Sequence, residues 1–150
     1  MVHVFESLAG TWQGEGAGEY PTIESFSYRE QLTITPVQGR AVALWVSRTA
    51  ELASGEPRHG EAGFVRATDG GVELVVAHSF GVTEVAAGAL DGAGALEVAS
   101  LAVTMAPTAK RVDEIRRSYR FDGDVCTYRI SMAAVGVDLT HHLAAELRRS

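Results

Sequence analysis

The chain has 150 residues, 46% of them hydrophobic, and carries a net charge of −6. That is one domain, 1–150, long enough to bury a core without a metal or disulfide and too hydrophobic for disorder. The acidic balance argues against nucleic acid as a partner, because phosphates need a concentrated positive field. No run approaches the ~18 apolar residues of a membrane span.

From the start, residues 1–10 lack the basic region and apolar run of a secretory leader. With one cysteine, Cys126, no intramolecular disulfide can form, so a cytoplasmic location is expected. Glycines at 10, 14, 16 and 18 surround Trp12. One strand face is left nearly bare there, which suits a bent barrel corner or a closely packed ligand.

Residues 30–35 alternate, with Leu32 and Ile34 on one face, and 40–49 reads as a long strand. Runs 72–77 and 82–87 flank the turn His78-Ser79-Phe80-Gly81, and 95–103 follows the turn Asp91-Gly92. Runs 118–121 and 125–133 flank Asp122-Gly123-Asp124, a hairpin signal. In the second of these Cys126, Tyr128, Ile130 and Met132 share a face, which makes Cys126 a buried structural thiol. Strands at this spacing predict an all-β fold, and closure into an antiparallel barrel removes the exposed edges.

The C-terminal end reads differently. Asp138 or Thr140 can cap a short helix over 141–147, and Arg148 and Arg149 suit its end. Leu139, Leu143 and Leu147 recur every four residues as a buried stripe. At roughly 100° per residue, His142 falls beside Leu139 and Leu143, whereas His141 faces water.

His142 thus reads either as a half-buried histidine bonded to a backbone carbonyl or as a metal or haem ligand through a neutral ring nitrogen. No second histidine stands at helical ligand spacing, so tetrahedral zinc lacks partners, whereas haem needs a single protein ligand. His78, at a strand end, is either a turn histidine in solvent or a wall residue. His59 is placed in a charged loop without a role, and His3 in a mobile terminus. The carboxylates are scattered, with no evident acid–base pair. Twelve of the thirteen basic residues are arginine, leaving Lys110 as the lone lysine. Nucleophile-elbow, phosphate-loop and dinucleotide signatures are missing. A barrel of this size also suits a carrier of a fatty acid or other lipophile.

The run Gly10-x-Trp12-x-Gly14-x-Gly16, followed by Gly18-Glu19-Tyr20-Pro21-Thr22-Ile23, resembles the opening signature of the nitrobindin family. The likeness continues in order through Ser54-Gly55-Glu56-Pro57, His59, Glu61-x-Gly63-Phe64, 72–78 and Gly81. It then takes in Ala106-Pro107-Thr108-Ala109-Lys110, 119–124, 132–136 and Leu139-Thr140-x-His142-Leu143. The match departs at Val65, at His141 and over 90–105.

This resemblance implies a ten-stranded antiparallel barrel, fatty-acid-binding-protein-like, holding haem b in a wide cleft. It implies that His142 ligates the iron, that Thr22 and Lys110 line the haem site, and that His78 lies on the distal side. An ammonium at the cleft mouth suits anionic propionates. The activity it implies is isomerisation of peroxynitrite to nitrate, with nitric oxide as a second small ligand. A homodimer stays open.

Overall fold

In the computed structural model, which describes residues 2–150, ten antiparallel strands close into one barrel. They are β1 (Gly10–Tyr20), β2 (Ile23–Pro36), β3 (Val42–Glu51), β4 (Pro57–Thr68), β5 (Gly71–His78), β6 (Val82–Leu90), β7 (Ala95–Met105), β8 (Val112–Asp122), β9 (Val125–Ala134) and β10 (Val137–Arg149). Each strand pairs with its sequence neighbours, and β1 pairs with β10 to close the ring.

Period-two alternation builds the wall. In β5 Val72, Leu74, Val76 and His78 are buried, and in β9 Cys126, Tyr128 and Ile130 are. Cys126 is fully buried, and burial pushes its thiol up to about 12, which makes it inert. The bare face of β1 is filled by protein. A Cβ on Gly14 would stand 2.1 Å from the Glu146 carbonyl oxygen, and one on Gly16 would stand 2.4 Å from the Tyr28 ring.

One end of the barrel is plugged. A 3-10 turn, Glu6–Leu8, lies there with Phe5, Leu8 and Trp12 all at 0% exposure. The Trp12 indole N–H donates to the Leu8 carbonyl at 3.0 Å, and the Arg149 guanidinium sits 4.7 Å from the Trp12 ring centroid. His3 is tied down as well, its Nε2 standing 2.7 Å from the Arg40 carbonyl oxygen, so it is not the mobile terminus expected. The opposite end carries the β1–β2, β3–β4, β5–β6, β7–β8 and β9–β10 connections, and there the interior stays open.

The expected C-terminal helix does not form. Residues 137–149 are strand β10, laddered to β1 on one side and β9 on the other. A four-residue leucine repeat is common to both periods, so Leu143 and Leu147 face inward on a strand as they would on a helix. Pairing on two edges satisfies the backbone of β10 and outweighs its local helical preference.

The ladder between β7 and β8 runs only from Ala95↔Arg120 to Ala99↔Arg116. From there to the open end β7 pairs with β6 alone, as far as Val82↔Met105. A slot in the wall results, within the stretch 90–105 that matched the family poorly.

Candidate functional site

An open-mouthed cavity of about 230 Å³ occupies the unplugged end. Its apolar lining includes Ile23, Phe26, Ile115, Ile130, Met132 and Leu143; its polar lining includes His59, Glu61, His78, Arg117 and His142. Enclosed ligand sites usually run to roughly 300–1,000 Å³. A planar macrocycle seated here would therefore keep one edge outside.

His142 enters this cavity through a β-bulge. In the β10–β9 register His141 faces Ser131 and Leu143 faces Ile130, so His142 is an extra residue with no partner of its own. Strict alternation would send it outward with Leu143 inward. The bulge lets both line the cavity, which is how bulges re-aim side chains. His141 lies on the outer face, beside a surface hollow lined by Ala17 and Ser27.

The half-buried His142 ring is held on several sides. Its Nδ1 is 3.0 Å from the Glu19 carbonyl oxygen, which can only accept, so Nδ1 carries the hydrogen. Tyr20 and Phe26 meet the ring edge-to-face at centroid distances of 5.3 and 6.4 Å. Burial holds the ring's pKa below its ordinary value, with the Glu19 bond opposing. At neutral pH the ring is uncharged and Nε2 bears the lone pair. This is the form a haem iron or other soft metal takes, with the backbone carbonyl fixing the tautomer from behind. His142 would hold such an iron through Nε2.

Two strands facing β10 carry a connected polar cluster. His59 on β4 and His78 on β5 stack at a ring-centroid distance of 5.1 Å, with His59 Nε2 2.8 Å from His78 Nδ1. His78 Nε2 is 2.9 Å from Glu84 Oε1. Arg117, 3% exposed, donates to Glu84 from Nη2 at 2.7 Å and from Nε at 3.2 Å. It also donates from Nη1 to Glu61 Oε1 and to the Tyr119 hydroxyl, each at 3.1 Å.

Burial opposes charge on Glu84, but Arg117 overrides it and holds the carboxyl at about 2. An ionised Glu84 requires the hydrogen of His78 on Nε2. With an uncharged His78 ring, Nδ1 accepts and His59 donates to it from Nε2. Burial pushes His59 down to about 4, so its ring is neutral.

Deeper in the barrel lies a second buried network. Ser47 donates to Glu30 Oε2 at 2.6 Å, Tyr128 donates to Glu30 Oε1, and the Tyr28 and Tyr128 hydroxyls are 2.6 Å apart. Burial raises Glu30 to about 7, against the hydrogen bonds from Ser47 and Tyr128. Tyr28 belongs to both this network and the cavity wall.

Of the residues singled out from the sequence, His142 and His78 share the cavity. Thr22 is exposed in the two-residue β1–β2 turn, next to the lining residue Ile23. Lys110 is exposed in the β7–β8 loop and among the described residues forms no ion pair. That loop belongs to the open end, with the Ala106 N–H bonded to the Gly81 carbonyl at 2.7 Å. Neither Thr22 nor Lys110 lines the cavity itself.

Sequence reasoning missed His59, Glu61, Glu84 and Arg117. His59 belongs to strand β4 rather than a loop, and the scattered carboxylates Glu61 and Glu84 converge on one guanidinium. A signal existed. Glu84 sits between the inward Val82 and Ala86, and Arg117 between the inward Ile115 and Tyr119. A charged residue in the buried phase of a strand must find a partner, so such residues identify one another.

A family model described as "THAP4-like, heme-binding beta-barrel domain" matches residues 1–149. The chain is 45% identical over 146 residues to "Peroxynitrite isomerase 2" of Mycobacterium ulcerans (strain Agy99), covering 95% of this chain and 90% of the relative. It is 43% identical over 149 residues to "Peroxynitrite isomerase 1" of Mycobacterium tuberculosis (strain H37Rv). Among solved structures it resembles Rv2717c from M. tuberculosis, with TM-score 0.92, 41% identity and coverage of 97% of this chain and 94% of that one. The S-type phycobiliprotein lyase CPES of Guillardia theta, 9% identical with TM-score 0.64, shares the fold alone.

Proposed function

The chain belongs to the THAP4-like haem-binding β-barrel family, and we propose that it uses haem b, held by His142, to isomerise peroxynitrite to nitrate. One observation carries the residue assignment. Nδ1 of His142 is committed to the Glu19 carbonyl, so the bare Nε2 is left for a metal inside an apolar-walled cavity.

When bound, haem would supply the iron chemistry that promotes the anion's rearrangement. The chain's own residues do the rest. Glu19 fixes the tautomer of His142, and the Tyr20 and Phe26 rings restrict its rotation. Ile23, Ile130, Met132 and Leu143 keep water from the space beside it. On the facing wall the guanidinium of Arg117, paired with Glu61 and Glu84, sets a positive charge among the carboxylates. At the mouth the Arg58 guanidinium, ion-paired with Glu51 at 2.9 Å, lies 3.9 Å from the Phe26 ring centroid. Lys110, in a loop around the same end, is assigned to the propionates, and Thr22, in the β1–β2 turn, to the rim of the haem site. The same iron position suits nitric oxide.

A lipophile carrier is disfavoured by the wall itself, since a fatty-acid chain would lie against Glu61, Arg117 and two histidines. Among the described residues no helix is long and apolar enough to cross a membrane. We place the protein in the cytoplasm because its single thiol needs no oxidising compartment.

The experiment is stopped-flow decay of peroxynitrite with haem-loaded wild type and the His142→Ala variant. Catalytic decay to nitrate that the variant loses is expected. Equal decay rates in the two proteins would remove His142 from the reaction.

A further inference from the structure

We propose that His59, Glu61 and His78 form a binding site for a divalent transition-metal ion of the zinc class, on the wall opposite His142. The proposal does not depend on haem. Each of the three residues offers one ligand atom, and these atoms all lie within 4.8 Å of one another. Two imidazoles and one carboxylate are the donor set of many open tetrahedral zinc sites and select against calcium and magnesium, which prefer oxygen.

Three features go beyond this proximity. First, Glu84 holds His78 Nε2–H at 2.9 Å, which aims the Nδ1 lone pair at His59. A carboxylate behind a histidine is the usual outer support of a metal ligand. Second, Glu61 is 7% exposed and its Oε2 accepts no hydrogen bond, although Arg117 Nη1 passes 2.8 Å away. That oxygen at the cavity wall is held by the ion pair alone and keeps its lone pairs free of any hydrogen bond. Third, the local charges admit a cation. Two carboxylates, Glu61 and Glu84, converge there on the single guanidinium of Arg117.

Binding asks for small changes. Ligand nitrogens at about 2.1 Å from a tetrahedral ion stand roughly 3.4 Å apart, whereas His59 Nε2 and His78 Nδ1 are 2.8 Å apart. His59 is only partly buried at the rim, so its ring can swing outward by the difference. Its hydrogen passes from Nε2 to Nδ1, and no proton is released. The fourth position would open into the cavity, toward an anion bound between the two walls.

The test uses the full-length chain, both haem-loaded and haem-free, stripped with a chelator and dialysed against Zn²⁺. One zinc per chain is expected in both forms, with affinity at least ~10-fold lower in His59→Asn and in His78→Gln. His141→Asn and His142→Ala should retain it, the latter even as haem binding falls. On the haem-free chain Co²⁺ should give the intense visible bands of tetrahedral coordination. A thermal melt of each variant without metal identifies any that fail to fold, and His59→Asn, at the rim, is the one least exposed to that failure. Absence of stoichiometric zinc in the wild type, or zinc retained by folded His59→Asn, would overturn the proposal. Zinc lost in His142→Ala but kept in His59→Asn would overturn it equally.

Discussion

His142 and His78 face each other across one cavity, because β10 and β5 stand five places apart in a ring of ten strands. Both rings are pinned from behind, His142 by the Glu19 carbonyl at 3.0 Å and His78 by the Glu84 carboxylate at 2.9 Å. One wall thus presents a bare ring nitrogen, and the other presents a hydrogen-bonded histidine pair backed by an ion pair.

That backing makes Glu84 a stability element. Its side chain is wholly buried beside Arg117, so Glu84→Gln would leave a buried guanidinium short of charge. A loss of about 3–5 kcal/mol is expected from urea unfolding at neutral pH. An unchanged midpoint would show that Arg117 is satisfied without it.

The same carboxylate gives an acid limb to the stability profile. Its folded pKa of about 2 lies below the ordinary 4.5, so its contribution is fully present above pH 4.5 and is lost as pH falls through 2. A depression of this size corresponds to about 3 kcal/mol. His59 acts in the same direction: its folded value of about 4 lies below 6.5, so acid favours the unfolded chain from pH 6.5 downward. Unfolding free energies measured from pH 7 to 3 should therefore fall, and fall less in His59→Asn.

Glu30 acts oppositely. Its folded value is raised from 4.5 to about 7, so the stability tied to its proton is greatest below pH 4.5 and is lost as pH rises through 7. Glu30→Gln should shrink the drop in unfolding free energy between pH 5 and pH 8.5. A variant with the wild-type slope would mean that Glu30 is ionised throughout.

Much of this arrangement was legible in the sequence, for identifiable reasons. Alternation in 72–77 and 125–133 gave strands and their buried faces, since period two survives any register. The family motifs brought His142 and His78 forward. The C-terminal strand was not legible, because Leu143 and Leu147 fit a helix and a strand alike and only pairing with both β1 and β9 decides between them. His142 was selected over His141 by helical geometry, yet it enters the cavity through a bulge that no local pattern reveals. Arg117, Glu61 and Glu84 converge from three strands, and their meeting depends on the closed ring.

One local conflict should be correctable. The β9–β10 hairpin turns on Val135 and Gly136, whose φ angles are +46° and +82°. Two positive φ angles at a two-residue turn suit Asn-Gly, whereas a β-branched residue is strained there. Val135→Asn should raise stability by about 1 kcal/mol with haem affinity unchanged. A lower melting temperature would show that the partly exposed valine packs to better effect than its backbone geometry suggests.

In the proposed holoprotein the Nε2 of His142 is the one protein ligand to haem iron. Hemin titration of wild type and His142→Ala, followed by the Soret band, tests it most directly. A saturable one-to-one Soret change is expected in wild type, with at least ~10-fold weaker binding in the variant and recovery of the wild-type spectrum when free imidazole is added. Wild-type Soret position and affinity in His142→Ala would contradict it.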